Sequence, residues 1–195
     1  MIVLNDEQGF AADPDDSLIE LTLRAAAPDR QMVTTEGRPV GQLTDGVSVR
    51  QILTQVDDRG TVFELYDPRW NFHPKPMVFA YCFTLRPGRV KGWALHKNHE
   101  DRYVLVQGQL KLVLFDPRPS SSTYGEICEI WLTEFDRKLV SIPKFVWHAD
   151  HNVGSTDVLA VNFPTIPYDH AKPDKYRLPI DTNLIPYRFP IDAGW

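Results

Sequence analysis

The chain lacks the features of several large classes of protein. Its 195 residues include only two cysteines, Cys82 and Cys128, which are too few for a framework of disulfide bonds. Both lie in apolar, strand-like runs, so we expect buried, reduced thiols in a cytoplasmic protein. No apolar run is long enough to cross a membrane, and no signal-peptide pattern follows Met1. The sequence therefore predicts no association with a membrane.

An excess of positive charge is also absent. The chain carries 21 lysines and arginines against 26 aspartates and glutamates, a formal net charge of -5. It has no motif typical of nucleic-acid binding, so we expect no nucleic-acid partner. It also lacks the Gly-x-Ser-x-Gly motif, the phosphate-binding P-loop and the dinucleotide fingerprint. A small molecule is the expected ligand, and a few local arginines or lysines are enough to hold an anionic one.

Long helical periodicity is nearly absent, and short strands take its place. Sixteen prolines and eleven glycines divide the chain into short pieces. Many short strands separated by turn residues are typical of a sandwich or barrel. We predict an N-terminal arm over residues 1–45, in which residues 17–27 form a short helix or a strand. Residues 46–195 are predicted to form one all-β domain with an irregular C-terminal segment and one helical turn near residues 172–176.

Individual strands can be placed where apolar runs meet turn residues. The sequence DDRG at residues 57–60 lies between two apolar runs and predicts a hairpin. The continuous apolar run VFAYCFTL, residues 78–85, predicts a central strand. In residues 91–116, alternating apolar side chains predict two strands joined by a turn at Gly108.

Two histidine-bearing segments, residues 96–101 and 142–152, are predicted to form the walls of one cavity. The second resembles the P-x-G-x-x-H-x-x-x-N pattern of small barrels of the cupin type, with Phe145 at the glycine position. The first approximates the other cupin pattern, but its two histidines are three residues apart. Since only residues two apart share a face of a strand, His96 and His99 are not expected to point together into a barrel.

A metal site is the alternative use of these residues. Its ligands would be His96, Asp101 and His148, with His99 as a substitute, which is a set of ligands that suits a transition metal on an open cavity. The spacing of the first two histidines argues against this arrangement. We therefore predict a protein without a metal or another cofactor.

Six segments, in this order and spacing, resemble the dTDP-4-dehydrorhamnose 3,5-epimerases, which are metal-free cupins that act on nucleotide sugars. The resemblance extends from about residue 46 to residue 189. The segments are DDRGTVFE (57–64), WALH (93–96), FDPRPSSSTYG (115–125), IPKFVWH (142–148), NFPTIPY (162–168) and YRLPIDTNLIPY (176–187). The resemblance implies a cupin-type jelly-roll barrel, which forms a homodimer by exchange of N-terminal strands.

The resemblance also implies catalytic roles. A histidine of the family removes the proton next to the keto group of the sugar, and an aspartate of the C-terminal segment polarises that histidine. His96 matches the histidine and Asp181 matches the aspartate. A base acting on a carbon acid needs a pKa near neutrality and a carboxylate that supports the imidazolium. His148 matches the second histidine of the pocket, and the alternative is a structural histidine that holds the turn after Pro143.

Several binding positions of the family are matched. Arg59 and Glu64 correspond to contacts with the nucleotide, and Tyr168 corresponds to an aromatic residue beside its base. The alternatives are an exposed arginine in a hairpin turn and a tyrosine that packs between prolines. Trp93 stands where the family has an arginine for the phosphates, and we expect it at the mouth of the cavity.

This chain has a different type of residue at the position of the family's catalytic acid. Its tyrosine corresponds to Asn162, and an amide cannot protonate an enolate as a phenol does. Its pocket lysine falls near Asp101 and Arg102, of which only the arginine keeps the charge. We therefore predict a nucleotide-sugar epimerase or ketoisomerase that abstracts a proton without a metal. A sugar-binding cupin that has lost catalysis and a metal-dependent cupin are the alternatives.

Overall fold

The computed structural model describes residues 16–37 and 40–190. The chain divides into two compact units, residues 1–41 and 42–195, while the predicted boundary of the N-terminal arm stays a prediction. In the first unit, the segment that the sequence left open between helix and strand forms helix α1, Asp16–Ala25. Among the described residues, no helix is long and apolar enough to cross a membrane.

Short strands make up almost all of the regular secondary structure in the described part of the second unit, and one 3₁₀ turn lies at Pro68–Trp70. The strands are β1 Ser48–Gln51, β2 Thr54–Asp57, β3 Gly60–Phe63, β4 Tyr81–Leu85, β5 Val90–Leu95, β6 Asp101–Gln107, β7 Gln109–Phe115, β8 Ile127–Thr133, β9 Lys138–Ile142, β10 Trp147–Asn152, β11 Val158–Asn162 and β12 Tyr176–Arg177. They form two five-stranded antiparallel sheets, with orders β1-β9-β6-β11-β4 and β12-β5-β10-β7-β8, and the predicted β2–β3 hairpin. This arrangement confirms the predicted all-β architecture.

Alternation of side chains along the strands explains how the two sheets meet. In β7, Leu110, Leu112 and Leu114 lie in the core between the sheets, whereas Val113 packs on the opposite face. Burying each of these leucines contributes about 2 kcal/mol to folding. The turn before β7 requires Gly108, because its φ is +93° and a Cβ atom would lie 3.0 Å from the carbonyl oxygen of Asp157.

Further apolar clusters cover the outer faces of both sheets. On the second sheet, Trp93 and Ala149 pack with Ile185 and other residues of the C-terminal segment. On the first sheet, Val104 and Leu139 pack with residues of the loops that precede β4. Apolar side chains therefore pack on both faces of each sheet. The buried polar residues that are described below lie at one end of the barrel.

Three local predictions are corrected by the structure. The apolar run at residues 78–85 gives only the short strand β4, which lies at the edge of its sheet and not at its centre. Because alternate residues of an edge strand face outward, Cys82 is exposed, and Cys128 is only half-buried. Residues 172–176 form no helical turn, since a bend at Lys172 is followed by irregular chain until Tyr176 pairs with β5.

Candidate active site

Five strands bring polar side chains to one end of the second unit. His96 directly follows β5, and Asn162 is the last residue of β11. β4, β6 and β10 begin at the same end, where they place Tyr81, Asp101 and His148 at or next to their first residues. Neighbouring strands are antiparallel, so the ends of some strands meet the beginnings of others. The fold thereby assembles a site from residues that are far apart in the sequence.

His96 and His99 both reach this site, contrary to the expectation from strand periodicity. They lie in the turn between β5 and β6, where the alternation of a regular strand does not apply. Their ring centroids are 3.9 Å apart, and the ring of His148 lies 5.3 Å from that of His96. All three imidazoles are buried. The two histidine-bearing segments thus come together in one cluster.

Asp101 lies at the centre of the three imidazoles. Its Oδ2 atom is 3.2 Å from Nε2 of His96 and 3.5 Å from Nε2 of His148. Its Oδ1 atom is 3.6 Å from Nε2 of His99. Asn162 donates a hydrogen bond from Nδ2 to Oδ1 at 2.8 Å. Such a set of donors favours the charged form of a buried carboxylate.

The ionisation of the cluster follows from these contacts. Burial alone would raise the pKa of Asp101, but hydrogen bonds from His96 and His99 hold that pKa well below its ordinary value. Burial lowers the pKa of His96, but the hydrogen bond to Asp101 and its charge outweigh burial and leave the pKa raised. Burial lowers the pKa of His148 to about 3. At neutral pH the cluster therefore combines an anionic Asp101, a neutral His148 and a His96 that is able to hold a proton.

The segment before β12 fixes the orientation of two of the rings. Nδ1 of His96 donates to the backbone carbonyl oxygen of Asp174, and this nitrogen carries hydrogen because a carbonyl oxygen only accepts. The side chain of Asp174 bonds Nδ1 of His99 at 2.9 Å and accepts from three backbone N–H groups of the same turn. Asp174 thereby leaves the Nε2 atoms of both histidines facing Asp101.

A phenol lies next to Asn162, which the resemblance sets at the position of a tyrosine. Tyr81 is the direct cross-strand partner of Asn162, and Nδ2 of Asn162 donates to its hydroxyl oxygen at 3.0 Å. Burial and the charge of Asp101 raise the pKa of Tyr81 above its ordinary value. The phenol therefore keeps its proton at neutral pH, as an acid that donates to a developing carbanion must.

A cavity of about 270 Å³ opens beside the cluster. Its wall includes His96, His99, Tyr81, Tyr168 and Lys175. Burial lowers the pKa of Lys175, and its charge interacts favourably with the buried carboxylates of the site. The wall of the cavity thus combines imidazoles, a protonated phenol and a lysine side chain.

The loop before β10 supports the turn that carries the histidines. Phe145, at the position where the cupin pattern has glycine, has a φ of +62°, which is a left-handed conformation that a bulky side chain rarely adopts. Its backbone N–H donates to the carbonyl oxygen of His96 at 2.9 Å. The strained residue is therefore held by a hydrogen bond to the candidate base itself.

Two of the predicted site residues lie elsewhere. Asp181 is exposed, and in the described part of the chain no hydrogen bond or ion pair joins it to His96, whose partners are Asp101 and Asp174. Trp93 is fully buried in the cluster on the outer face of the second sheet and does not line the cavity. Both predictions are corrected, because Ile180 and the neighbouring C-terminal residues pack on that outer face.

Arg102 is also not a group of the cavity. It follows Asp101 on β6 and therefore points to the other face of the sheet. Its buried guanidinium donates to the backbone carbonyl oxygens of Lys75, Pro76 and Phe163, among others. Arg102 thus joins the loop before β4 to the end of β11, and the prediction of a substrate-binding arginine is corrected to a structural one.

The predicted nucleotide contacts fall into two groups. Tyr168 lines the cavity that contains His96. Arg59 is exposed and forms an ion pair with Asp57 in the β2–β3 turn, and Glu64 lies in a separate groove beside Trp70. The structure therefore brings Tyr168 to the site and leaves the other two outside this cavity, so that their roles stay predictions.

Sequence reasoning missed three groups of the site. In the sequence nothing distinguishes Tyr81 from the other tyrosines. Its place in the site results from its cross-strand pairing with Asn162. Asp174 and Lys175 stand in an irregular, proline-containing segment without a recognisable pattern. Their proximity to the histidines results from the path of the chain before β12, which no local motif specifies.

No family model matches the chain. A probable low-salt glycan biosynthesis epimerase of Haloferax volcanii is 30% identical over 136 residues, which are 69% of this chain and 87% of that protein. The spore coat polysaccharide biosynthesis protein SpsL of Bacillus subtilis is 30% identical over 149 residues, 75% of this chain and 97% of that one. A dTDP sugar isomerase from Desulfovibrio desulfuricans superposes with a TM-score of 0.69 at 24% identity, and the match covers 75% and 94% of the two chains.

The solved structure confirms the predicted cupin-type barrel, and the two relatives are matched over most of their own length. The chain therefore belongs to the dTDP-4-dehydrorhamnose 3,5-epimerase-like family of dTDP-sugar epimerases, as a divergent member.

Proposed function

We propose that the protein binds a dTDP-linked 4-keto sugar and exchanges a proton on the carbon next to its keto group. The single observation that supports this reaction is His96, which has one ring nitrogen fixed by the Asp174 carbonyl and the other beside Asp101, at the wall of a cavity. Both curated relatives act in the biosynthesis of glycans or polysaccharides by name, and one is named an epimerase. An epimerisation or a keto-isomerisation is therefore the reaction that fits both the site and the names of the relatives.

In the proposed reaction, the lone pair on Nε2 of His96 takes the proton from carbon, and the electrons of the C–H bond form an enolate. Nε2 is the available atom because Nδ1 already donates to Asp174. The proton taken from carbon is then bound to Nε2, and Oδ2 of Asp101 lies 3.2 Å from that nitrogen. A carboxylate at this distance stabilises the imidazolium and so favours the transfer.

The enolate needs a positive charge and a proton donor. Lys175, in the wall of the cavity, supplies a cation for the enolate oxygen, which is the role that the sequence assigned to Arg102. Return of the proton by His96 restores the starting sugar, whereas protonation by Tyr81 from another direction inverts the carbon. Tyr81 thus takes the place of the family tyrosine that corresponds to Asn162.

The proposal is tested by incubation of the protein in deuterium oxide with a dTDP-4-keto-6-deoxy sugar, followed by mass spectrometry and NMR of the sugar. The wild type is expected to introduce deuterium next to the keto group. His96→Asn is expected to slow uptake by about 10²–10⁴-fold, the range for loss of a general base. His170→Asn is the control, because His170 is exposed and does not line the cavity, and it is expected to keep most of the uptake.

The outcome that contradicts the proposal is equally direct. If the wild type introduces no deuterium into dTDP-, UDP- or GDP-linked keto sugars above a buffer control, the isomerase function fails. Binding of dTDP in the same samples would then identify a sugar-nucleotide-binding protein of the family.

A further inference from the structure

We propose that Asp150 and Lys91 form a polar subsite inside the barrel, which binds a hydroxyl group of the sugar and thereby selects the substrate. The two residues are direct cross-strand partners on β10 and β5. The inference rests on the proposed function, because it needs a sugar in the cavity beside His96. It concerns two charged residues that the proposed reaction does not use.

The subsite lies one layer deeper in the barrel than the candidate active site. β4, β6 and β10 begin at that site, and residues two apart on a strand share a face and are separated by about 6–7 Å. The residues two positions after Tyr81, Asp101 and His148 are Phe83, Tyr103 and Asp150. The hydroxyl of Tyr103 donates to Asp101 at 3.4 Å, so the two layers are in contact.

Asp150 is a buried carboxylate that lacks a partner for one oxygen. It lies opposite Leu112 of the core between the sheets and is 3% exposed. In the described part of the chain, its Oδ1 atom has no hydrogen-bond partner. Such an oxygen is costly to bury, so native structures usually supply it with a partner. The charge of Lys175, which lines the cavity, acts on Asp150, so a group that enters from the cavity can complete its hydrogen bonds.

The neighbours of Asp150 suit a neutral hydroxyl group. Nζ of Lys91 lies 4.3 Å from the centre of the Phe83 ring, which offers an apolar face to a sugar. A hydroxyl group both donates and accepts hydrogen bonds, so it can donate to Asp150 and accept from Lys91. A carboxylate on the sugar would be repelled by Asp150, and an ammonium group would be repelled by Lys91. The pair therefore favours a substrate that keeps a hydroxyl group at the position facing this layer.

The test measures binding and not turnover. dTDP-glucose, which has no keto group, is titrated calorimetrically into the full chain, as are its 2-deoxy, 3-deoxy and 6-deoxy derivatives. One derivative is expected to bind the wild type about 10–100-fold more weakly than dTDP-glucose does, because it leaves two charged groups without the hydroxyl that they bond. Titration with dTDP alone measures the contribution of the nucleotide.

Variants then assign the discrimination to the subsite. Asp150→Leu and Lys91→Met are each expected to bind dTDP-glucose and the weak derivative with equal affinity, since the polar group that distinguishes them is gone. Lys111→Met is the matched control, because Lys111 is also half-buried beside an aromatic ring but lies with Val113 on the outer face of the same sheet. It is expected to keep the discrimination. Unchanged binding of dTDP shows that each variant is folded.

The proposal is overturned if the wild type binds all three derivatives as tightly as dTDP-glucose. It is also overturned if the discrimination persists in both Asp150→Leu and Lys91→Met, or if Lys111→Met loses it as fully as Lys91→Met does. The two proposals fail separately. Discrimination without deuterium exchange would refute only the proposed reaction, and exchange without discrimination would refute only the subsite.

Discussion

Asp101 and Asp116 are both buried carboxylates, yet they serve different parts of the molecule. Asp116 accepts hydrogen bonds from Arg118 at 2.8 Å and from Thr123 at 2.7 Å, and Ser121 is a further donor. All of these partners lie within seven residues, in the loop after β7. Most partners of Asp101 come from the turn after β5, from β10 and from β11, and the hydroxyl of Tyr103 on the same strand donates at 3.4 Å.

The two carboxylates have the same direction of pKa shift. Burial would raise both, and hydrogen bonds outweigh burial and lower both. A depressed pKa therefore does not distinguish a reactive carboxylate from a structural one. The partners do distinguish them, because those of Asp116 keep their protonation state whereas the imidazoles beside Asp101 gain and lose protons. The candidate site is the place where a fixed charge meets titratable groups at a cavity.

The largest expected difference is in catalysis. Asp101→Asn removes the charge that stabilises the His96 imidazolium, so we expect deuterium exchange to fall by about 10³-fold. The measurement is the rate of deuterium uptake per folded molecule at pH 8. Asp116→Asn is the control and is expected to leave that rate within about twofold, since its loop does not line the cavity. Equal loss in both variants would remove the proposed distinction.

For the free energy of unfolding, we expect the larger effect from the change at Asp116. Asp116→Asn leaves a buried Arg118 contact without its anion and weakens the hydrogen bonds of the loop, so we expect a loss of about 3 kcal/mol of unfolding free energy. Urea denaturation at pH 7 measures it. Ser120→Ala, in the same loop at an exposed position, is the control and should change stability by less than about 0.5 kcal/mol. A stable Asp116→Asn protein would mean that the loop is not held by its carboxylate.

Acid provides a second measure of the same contact. The folded-state pKa of Asp116 lies below its ordinary value, so its contribution is complete above the unfolded pKa of about 3.9 and is lost as the pH falls towards the folded pKa. The difference in unfolding free energy between wild type and Asp116→Asn should therefore shrink as the pH is lowered from 5 to 3. A difference that grows on acidification contradicts this sign.

The sequence predicts the barrel well, because its signals are local. Alternating leucines in β7, the turn at Gly108 and the DDRG hairpin each encode a strand or a turn from neighbouring residues. The prediction of a central strand at residues 78–85 was wrong, since an apolar stretch does not reveal whether its strand lies at the edge or at the centre of a sheet.

The candidate site could be predicted only in part, because it is made of non-local contacts. His96 and His148 were found through patterns that surround them, whereas the choice of carboxylate depends on which residue lies beside an imidazole in space. Asp181 matched by its place in the sequence, but Asp101 and Asp174 make the contacts. The failure at Arg102 has the same origin, since residues adjacent in a strand point to opposite faces.

A substitution at Tyr81 tests whether the site around Asp101 includes a catalytic acid. Tyr81→Phe removes the hydroxyl that Asn162 holds, so we expect inverted product to form about 10²-fold more slowly while deuterium uptake continues. NMR of the sugar separates the two quantities. Tyr176→Phe is the matched control, because Tyr176 also lines the cavity but lies against Lys97. Normal inversion by Tyr81→Phe would exclude Tyr81 as the acid.

Lys175 is expected to give the smallest effect of the series. In the proposed reaction its charge acts on the enolate oxygen, so Lys175→Met should lower the rate of deuterium uptake by about tenfold, which corresponds to about 1.4 kcal/mol of the barrier. Lys172→Met is the control, since Lys172 lines the same cavity but is exposed, whereas Lys175 is half-buried. If the two lysine variants lose activity equally, the cavity attracts an anionic sugar nucleotide by its general charge, and no single cation stabilises the enolate. If only Lys175→Met lowers the rate of uptake, the reaction depends on a fixed positive charge at Lys175 as well as on the fixed negative charge of Asp101. The titratable imidazole of His96 then acts between these two charges.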